Sequence, residues 1–276
     1  ATYRNRDHAF KYDISANLST LKNKVTSLGI GKDSYISGAY ATYVGQEIGK
    51  FYGWVYEGIA RNQSDLDGHA TQQGANVGDC LYKDISGPEG TPDGVIDAYD
   101  QTVLGSGLPK VNFGLSTHME YKGFDLNIST YGVLNYHVSD DIYNSLNSCY
   151  GYGNKEVGML DANRWSEDGT YLSSVPRTYA ANNATLAWND LFSSRKIQNA
   201  AYWKIANVEL GYNFPDKWFG GYVSGVRLYV SAQNLYTFTG YHGYNVDYAG
   251  GTFTPGYNFC SFPSARTFMA GLHFTF

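Results

Sequence analysis

Hydrophobic and polar residues alternate with a period of two in the final segment of the chain, ARTFMAGLHFTF (265–276). Even positions from 268 onward are apolar, whereas odd positions are small or polar, with Met269 as the exception. This alternation is typical of a β-strand with two different faces, and the segment is long enough for a tilted strand to cross a bilayer. The pattern predicts either a membrane β-barrel strand that ends at an aromatic girdle or the edge strand of a soluble β-sandwich.

The same alternation predicts an antiparallel hairpin in the middle of the chain. In KVNFGLSTHMEY (110–121) the odd positions form the more apolar face, and in the segment 124–134 the even positions do so. Between the two segments, Lys122 and Gly123 are a tight-turn signal. Two strands of about ten residues joined by so short a turn are typical of the periplasmic side of a membrane barrel.

Further segments read as strands for the same reason. They are 8–27, 51–60, 202–214 and 226–233. Within 202–214, one predicted face consists of Lys204, Ala206, Val208, Leu210, Tyr212 and Phe214. About six to eight strands are expected in total, which predicts an all-β, antiparallel fold.

Short and long connections alternate between these strands. The short connections are 122–123 and 215–225, on the same side as the C-terminus, and the long ones are 62–109, 136–200 and 237–264. Long irregular excursions are uncommon in compact soluble domains, whereas barrels combine short periplasmic turns with long extracellular loops. Short helices are expected near 140–146 and 155–165, and whether 39–58 crosses the membrane twice or stays outside is left open.

Composition fits a strand-rich protein with aromatic belts and polar loops. Of 276 residues, 16% are charged, 26 are Tyr and 32 are Gly. The net charge of −5 gives no basic stripe for nucleic acid. No apolar run is long enough for a membrane helix, so a membrane location requires strands. A secreted sugar-binding β protein would have a similar composition. The polar opening ATYRNRD contains no signal peptide and looks like a mature or truncated start.

The segment DISGPEGTPDGVIDAYD (84–100) resembles an interrupted EF-hand loop. If residues 88–92 are omitted, the remaining order predicts a Ca²⁺ site. Its ligands would be Asp84, Ser86, Asp93, the Val95 carbonyl, Asp97 and Asp100. The insertion breaks the ligand register, and Asp replaces the usual bidentate Glu. The alternative is therefore a solvated acidic turn. No other cofactor is required, and three well-separated cysteines match no metal spacing.

No catalytic motif is present, so an enzyme is not predicted. The chain lacks a G-x-S-x-G motif, and His118 and His273 alternate to the polar faces of strands. Loop aromatics are candidates for contact with a substrate or a lid protein. They are Trp165, Trp188, Tyr241, Tyr244 and Tyr248. The alternative for any one of them is that it packs a long loop against itself.

Several segments together identify a family resemblance. The most specific are DGVIDAYD (93–100), AQNLYTFTGY (232–241) and RTFMAGLHFTF (266–276), joined by VGQEIGKFYGWVYEGI (44–59) and YWKIANVELGYNFPDKW (202–218). In this order they resemble the C-terminal part of SusC/RagA-type TonB-dependent outer-membrane transporters, over almost the whole chain. The departure is the PEGTP insertion (88–92), where the family form is an uninterrupted DxNGDGxID.

The resemblance implies a wide transmembrane barrel of about 22 strands, to which this chain would contribute the last ones. The plug, the TonB box and the N-terminal domain would lie outside it. The implied partners are a SusD-like surface lipoprotein that acts as a lid, TonB acting through the absent N-terminal part, the rest of the barrel and membrane lipid. The implied cargo is an oligosaccharide, with an oligopeptide as the alternative, and the implied location is the outer membrane of a Bacteroidetes-type Gram-negative cell.

Two rival interpretations do not need this resemblance. A secreted Ca²⁺-binding lectin or adhesin with a β-sandwich fold would keep the acidic loop and the aromatics, but its strands would not face lipid. A small outer-membrane barrel enzyme would keep the strands, but it would need a catalytic set at one rim.

Overall fold

A computed structural model describes residues 1–276 except 7, 30, 149–153, 158–164, 167–174, 179–187, 220–222, 248–249 and 260. The strands are β1 (Thr2–Asn5), β2 (Phe10–Thr20), β3 (Ser34–Ser37), β4 (Tyr40–Tyr43), β5 (Lys50–Gly53), β6 (Tyr56–Ile59), β7 (Cys80–Tyr82), β8 (Thr102–Ser106), β9 (Val111–Tyr121), β10 (Phe124–Leu134), β11 (His137–Asp140), β12 (Gln198–Asn199), β13 (Tyr202–Phe214), β14 (Gly225–Thr239), β15 (Tyr257–Asn258) and β16 (Thr267–Thr275). The helices are α1 (Gln63–Asp67) and α2 (Asp141–Leu146). None of the helices in the described part of the chain has the length and apolar character needed to cross a bilayer.

Seven strands form the main sheet, in the order β1-β2-β9-β10-β13-β14-β16. All neighbours are antiparallel, as the alternation predicted. The strand predicted over 8–27 is shorter, at Phe10–Thr20, and a separate strand, β1, precedes it. The prediction extended β2 beyond both of its ends and did not assign a separate strand over 2–5, because these polar residues show no two-residue period.

The two faces of the main sheet differ in chemistry along whole rows of paired residues. One row across six strands is mostly apolar: Tyr12, Met119, Leu126, Leu210, Val230 and Ala270. The adjacent row, on the opposite face, is mostly polar: Asp13, His118, Asn127, Glu209, Ser231 and Met269. Large side chains on the apolar face are exposed, as in Leu18 at 71%. So large an exposed apolar face requires hydrocarbon or another protein layer against it.

The connections of this sheet separate into a short side and a long side. On the short side, Lys122 and Gly123 form the β9–β10 turn with φ values of 48° and 87°, which suits a type I′ hairpin. The C-terminus lies on this side too, since the Ser224 amide donates to the Thr275 carbonyl over 2.7 Å. The long side carries 21–110, 135–201 and 240–266. The predicted asymmetry of the connections is therefore confirmed.

The long side builds its own small sheets and cores. Strands β3, β4, β5 and β8 form a four-stranded sheet, so the segment 39–58 adds no strand to the main sheet. One core contains Cys80, Tyr82 and Ile96, with Trp54 and Trp188 against it. A second core joins β10, β11 and β13 to the loop after β14 through residues such as Val138 and Tyr241. Helix α2 matches the helix expected near 140–146, whereas the helix expected near 155–165 lies largely outside the described residues.

One prediction about β13 is wrong, because the strand contains a bulge. Ser129 of β10 pairs with Asn207, but the next residue, Thr130, pairs with Ile205. Ala206 is skipped, and a skipped residue reverses the alternation beyond it. Lys204 therefore lies on the polar face opposite Tyr131, and not on the apolar face with Val208.

Candidate functional site on the long side

The acidic segment 84–100 uses its most buried carboxylate to hold its own backbone. Asp100 is fully buried (0% exposed). Its carboxylate accepts hydrogen bonds from the amides of Ile85 (2.8 Å), Ser86 (3.2 Å) and Asp97 (2.9 Å). A carboxylate that accepts three N–H groups holds the two ends of the loop together.

The other predicted ligands also serve local turns. Asp97 caps the short 3₁₀ turn Ala98–Asp100, and Asp84 accepts the Gly94 amide over 2.7 Å. Asp93 accepts the Val95 amide over 3.0 Å, and Ser86 donates to the Gly87 carbonyl over 3.4 Å. Val95 forms a bridge with Thr71.

These turns do not assemble into a recognisable metal centre. In the described part of the chain, no three His, Cys, Asp or Glu side chains are placed to hold a metal ion. One feature points the other way, because Oδ1 of Asp84 is buried without a hydrogen-bond partner among the described residues. A Ca²⁺ ion in this loop remains a prediction.

Trp165 and Trp188 pack two long loops together. The Trp165 ring covers Gly78, where an added Cβ would lie 2.5 Å from Cε3. Trp188 donates from Nε1 to the Gln73 carbonyl over 3.0 Å, and its own carbonyl accepts the hydroxyl of Tyr82. Both rings are therefore only partly available to a ligand.

An ion pair with a buried carboxylate joins the same two loops and was not predicted from the sequence. Arg177 donates to the Asp79 carboxylate from Nε (2.7 Å) and Nη2 (2.9 Å). Asn189 donates to Asp79 over 2.8 Å and accepts the Cys80 amide over 2.7 Å. These residues lie about a hundred positions apart and share no local motif, so no pattern of spacing signals the contact.

Tyr241 is a buried part of the scaffold. Its hydroxyl donates to the carboxylate of Asp140 and accepts from Nδ2 of Asn258 over 2.7 Å. Burial, followed by the hydrogen bond to Asp140, raises the pKa of Tyr241 well above its usual value. The group joins the end of β11 to the loop after β14 and to β15.

Tyr244, three residues further on, is 66% exposed. It lines an open cavity of about 320 Å³ between the long-side end of β14 and the loop 240–266. Side chains that can donate or accept hydrogen bonds line the same cavity: Lys204, Asn234, Thr237, Thr239, Asn245 and Arg266. Tyr248 lies outside the described residues.

Lys204 connects this cavity to the wall of the sheet. Its Nζ lies 2.6 Å from Oδ2 of Asp247 and 5.8 Å from the centre of the Tyr131 ring. The Tyr131 hydroxyl donates to the other oxygen of Asp247 over 3.2 Å. The bulge at Ala206 thus turns Lys204 towards Asp247, and this ion pair anchors the loop 240–266 that forms the cavity.

The two histidines that the sequence assigned to polar faces do lie there. His118 contacts Asn127 over 2.6 Å and Glu120 over 2.9 Å, and His273 pairs with Arg227 of β14. Both histidines therefore lie among polar or charged residues of this face.

Comparison with known proteins identifies the group to which this fold belongs. No protein-family model matches the chain. TonB-dependent receptor P3 of Formosa agariphila is 30% identical over 285 residues, covering 97% of this chain and 27% of that protein. TonB-dependent receptor SusC of Bacteroides thetaiotaomicron is 25% identical, covering 97% of this chain and 24% of that protein. The chain thus spans about a quarter of the length of these relatives.

Solved structures show the same fold. The RagAB peptide transporter aligns with a TM-score of 0.78 at 20% identity, covering 100% of this chain and 28% of that chain. The RagAB peptide importer in its "closed-closed" state aligns with a TM-score of 0.75 at 22% identity, covering 99% and 28%. In sequence and in fold, the chain therefore corresponds to the C-terminal barrel portion of SusC/RagA-type TonB-dependent receptors.

Proposed function

We propose that the chain forms part of the wall and the outer mouth of an outer-membrane importer that takes up nutrients in a TonB-dependent manner. The observation that carries this proposal is the two-faced main sheet, with exposed apolar rows on one face and polar rows on the other. The similarity to TonB-dependent receptors over 97% of the chain supports it.

The long side would face the cell exterior in the outer membrane of a Bacteroidetes-type bacterium. Barrels of this class keep short turns in the periplasm and long loops outside. TonB would act through the plug and TonB box of the whole receptor, and further strands would complete the barrel. The role is transport and not catalysis, in keeping with the receptors and transporters that the chain resembles.

The cavity beside Tyr244 is the proposed ligand contact within this chain. An exposed aromatic ring beside amide and hydroxyl groups suits the flat faces and hydroxyls of a sugar. Lys204 is already neutralised by Asp247, so the cavity has less positive charge than its lining residues indicate. We therefore favour an oligosaccharide as cargo. An oligopeptide is the second candidate, since a solved structure with this fold is a peptide transporter.

A SusD-like surface lipoprotein is the proposed lid. Exposed aromatic side chains on the loop 240–266 offer it an apolar contact: Phe253, Phe259 and Phe262. Phe253 also meets Tyr35 of the β3–β4 hairpin edge to face, with ring centres 5.9 Å apart. A patch built by two different loops suits a partner that closes over the mouth.

The rival interpretation as a secreted lectin gains no support from the architecture. A β-sandwich buries the apolar face of each sheet against a second sheet. Here the apolar face of the seven-stranded sheet is exposed along most of its strands.

Uptake by cells tests the cargo and the site together. In a strain whose sole copy of the whole receptor carries Tyr244→Ala, uptake of labelled oligosaccharides should fall, while receptor abundance in the outer membrane stays normal. Tyr121→Ala is the matched control, because Tyr121 is also exposed but lies at the end of β9 on the short side of the sheet, away from the cavity. If peptide uptake falls and oligosaccharide uptake is unchanged, the cargo is a peptide. If neither changes, the cavity is not on the ligand path.

A further inference from the structure

A second cavity, of about 560 Å³, lies at the long-side ends of β2 and β9. Four lysines line it, together with a single carboxylate and one apolar residue: Lys22, Lys24, Lys50, Lys110, Glu47 and Leu21. We call this group the lysine cradle. It stands out because the whole chain has a net charge of −5.

Backbone hydrogen bonds hold the cradle in a defined shape. The Leu21 amide donates to the Lys110 carbonyl over 2.9 Å, which extends the β2–β9 pairing by one step. The Val25 amide donates to Gln46 and the Gly45 amide donates to Val25, both over 2.8 Å. The segment that carries Lys22 and Lys24 is thus fixed between β9 and the turn after β4.

Most of the positive charge in the cradle is uncompensated. Lys110 forms an ion pair with Glu47, whereas Lys50 donates to the neutral amide oxygen of Gln46 over 3.0 Å. Within the described residues, Lys22 and Lys24 make no ion pair. Three ammonium groups therefore face one cavity without a carboxylate partner, an arrangement that favours binding of a multivalent anion.

The cradle also lies directly beyond the end of the exposed apolar face of β2. Leu18 of β2 is 71% exposed and belongs to the apolar face. Because side chains alternate along a strand, Lys22, four residues later, falls on the same side as Leu18, whereas Leu21 falls on the other side. A ligand seated here would place its anionic group among the lysines and its hydrocarbon along Leu18 and the apolar face of β2. This combination of contacts fits an amphiphile better than a soluble anion.

We infer that the lysine cradle binds the phosphorylated headgroup of a glycolipid in the outer leaflet of the membrane. The phosphates would contact Lys22, Lys24 and Lys50, and the acyl chains would follow the apolar face of β2. Basic clusters directly beside a membrane-spanning segment bind anionic headgroups by the same physics. The inference uses the membrane placement of the sheet, but it is independent of the cargo.

Native mass spectrometry of the whole receptor, titrated with diphosphorylated lipid A, tests the inference. The variant Lys22→Gln/Lys24→Gln/Lys50→Gln should bind this lipid at least roughly tenfold more weakly. The matched control Lys83→Gln/Lys122→Gln/Lys217→Gln removes the same charge from outside the cradle and should bind normally. Because Arg keeps the charge, Lys22→Arg/Lys24→Arg/Lys50→Arg should also bind normally.

Separate arms identify the source of the phosphate and guard against misfolding. Dephosphorylated lipid A should bind weakly to the unmodified receptor, and millimolar inorganic phosphate should not displace the phosphorylated lipid. Equal binding of both lipids, displacement by free phosphate, or unchanged binding by the Gln variant would each overturn the inference. Membrane insertion is read independently from heat-modifiable migration on gels, so a failure of the membrane placement itself would be recognised.

Discussion

The guanidinium of Arg227 on β14 reaches past β13 to bind the carboxylate of Asp125 on β10, with distances of 2.8 Å from Nε and 2.6 Å from Nη2. The same Nη2 contacts Glu209 over 2.7 Å. Between the two partners, Gly211 of β13 leaves the necessary space. A Cβ added there would lie 2.5 Å from Nη2 of Arg227 and closer still to the Asp125 carboxylate. The lack of a side chain at 211 therefore permits an ion pair that spans three strands.

Gly211→Ala should destabilise the main sheet, because the added methyl group displaces Arg227 from Asp125. The expected loss is about 1–3 kcal/mol in the free energy of unfolding, the usual cost of overpacking. Thermal unfolding of the whole receptor in detergent measures it. The control is Gly240→Ala, since no atom lies within 4 Å of an added Cβ at that position. Equal unfolding temperatures for the two variants would contradict the prediction.

Tyr241→Phe should loosen the loop 240–266 without changing any exposed surface. It leaves the buried Asp140 carboxylate and the Asn258 amide each short of one partner, at a cost of about 1–3 kcal/mol. The measurement is faster hydrogen exchange of amides in this loop. Tyr244→Phe removes the same atom from an exposed ring and should leave the exchange rates unchanged.

Asp100→Asn should destabilise the segment 84–100 equally with and without a chelator. The amide side chain has only one oxygen to accept the three N–H groups that Asp100 now satisfies. Thermal unfolding in the presence of Ca²⁺ and of EGTA makes the comparison. An effect that appears only in Ca²⁺ would instead assign Asp100 to a metal site, and Asp93→Asn serves as the control on the exposed edge of the same loop.

Cys80 should resist thiol reagents in the native protein. Burial raises the pKa of its thiol to about 11 from 9.0. At pH 8 the thiolate fraction falls from roughly a tenth to roughly a thousandth, and the thiolate is the reactive form. In a Cys149→Ser/Cys260→Ser background, labelling should require denaturant. Rapid native labelling would contradict the buried position.

The same pKa shift has a consequence for stability. The folded protein holds the Cys80 proton more tightly than the unfolded chain does, so this group's contribution is complete below pH 9 and is lost as the pH rises towards 11. Cys80→Ala should remove that part of the pH dependence.

The sequence predicted the main sheet well, because side-chain alternation and turn residues are local signals. It predicted the β9–β10 hairpin and the separation into short and long sides. It did not predict the bulge at Ala206, since an alanine within an alternating strand looks like any other outward residue. The bulge sets the orientation of Lys204, so the predicted orientation of this residue was wrong.

Candidate site residues were harder to assign for a related reason. Tyr241 and Tyr244 have similar neighbours in sequence, yet Tyr241 is buried and donates a hydrogen bond to Asp140, whereas Tyr244 is exposed. Trp165 and Trp188 are fixed by Gly78 and Gln73, about a hundred residues away. Contacts made across such separations leave no periodic signal, so the sequence could only name these aromatics as a group.

The bulge in β13 also bears on how mouth regions are exchanged between related receptors. From Asn207 to Phe214 the side chains of β13 follow one in-and-out alternation, and from Tyr202 to Ile205 they follow the opposite one. A chimera whose junction lies between Ala206 and Phe214 would transfer the bulge together with Lys204, Asp247 and the loop that this ion pair anchors. A junction between Ile205 and Ala206 would transfer Lys204 without the bulge. On a recipient strand that lacks the bulge, the Lys204 side chain would then point towards the acyl chains of the bilayer.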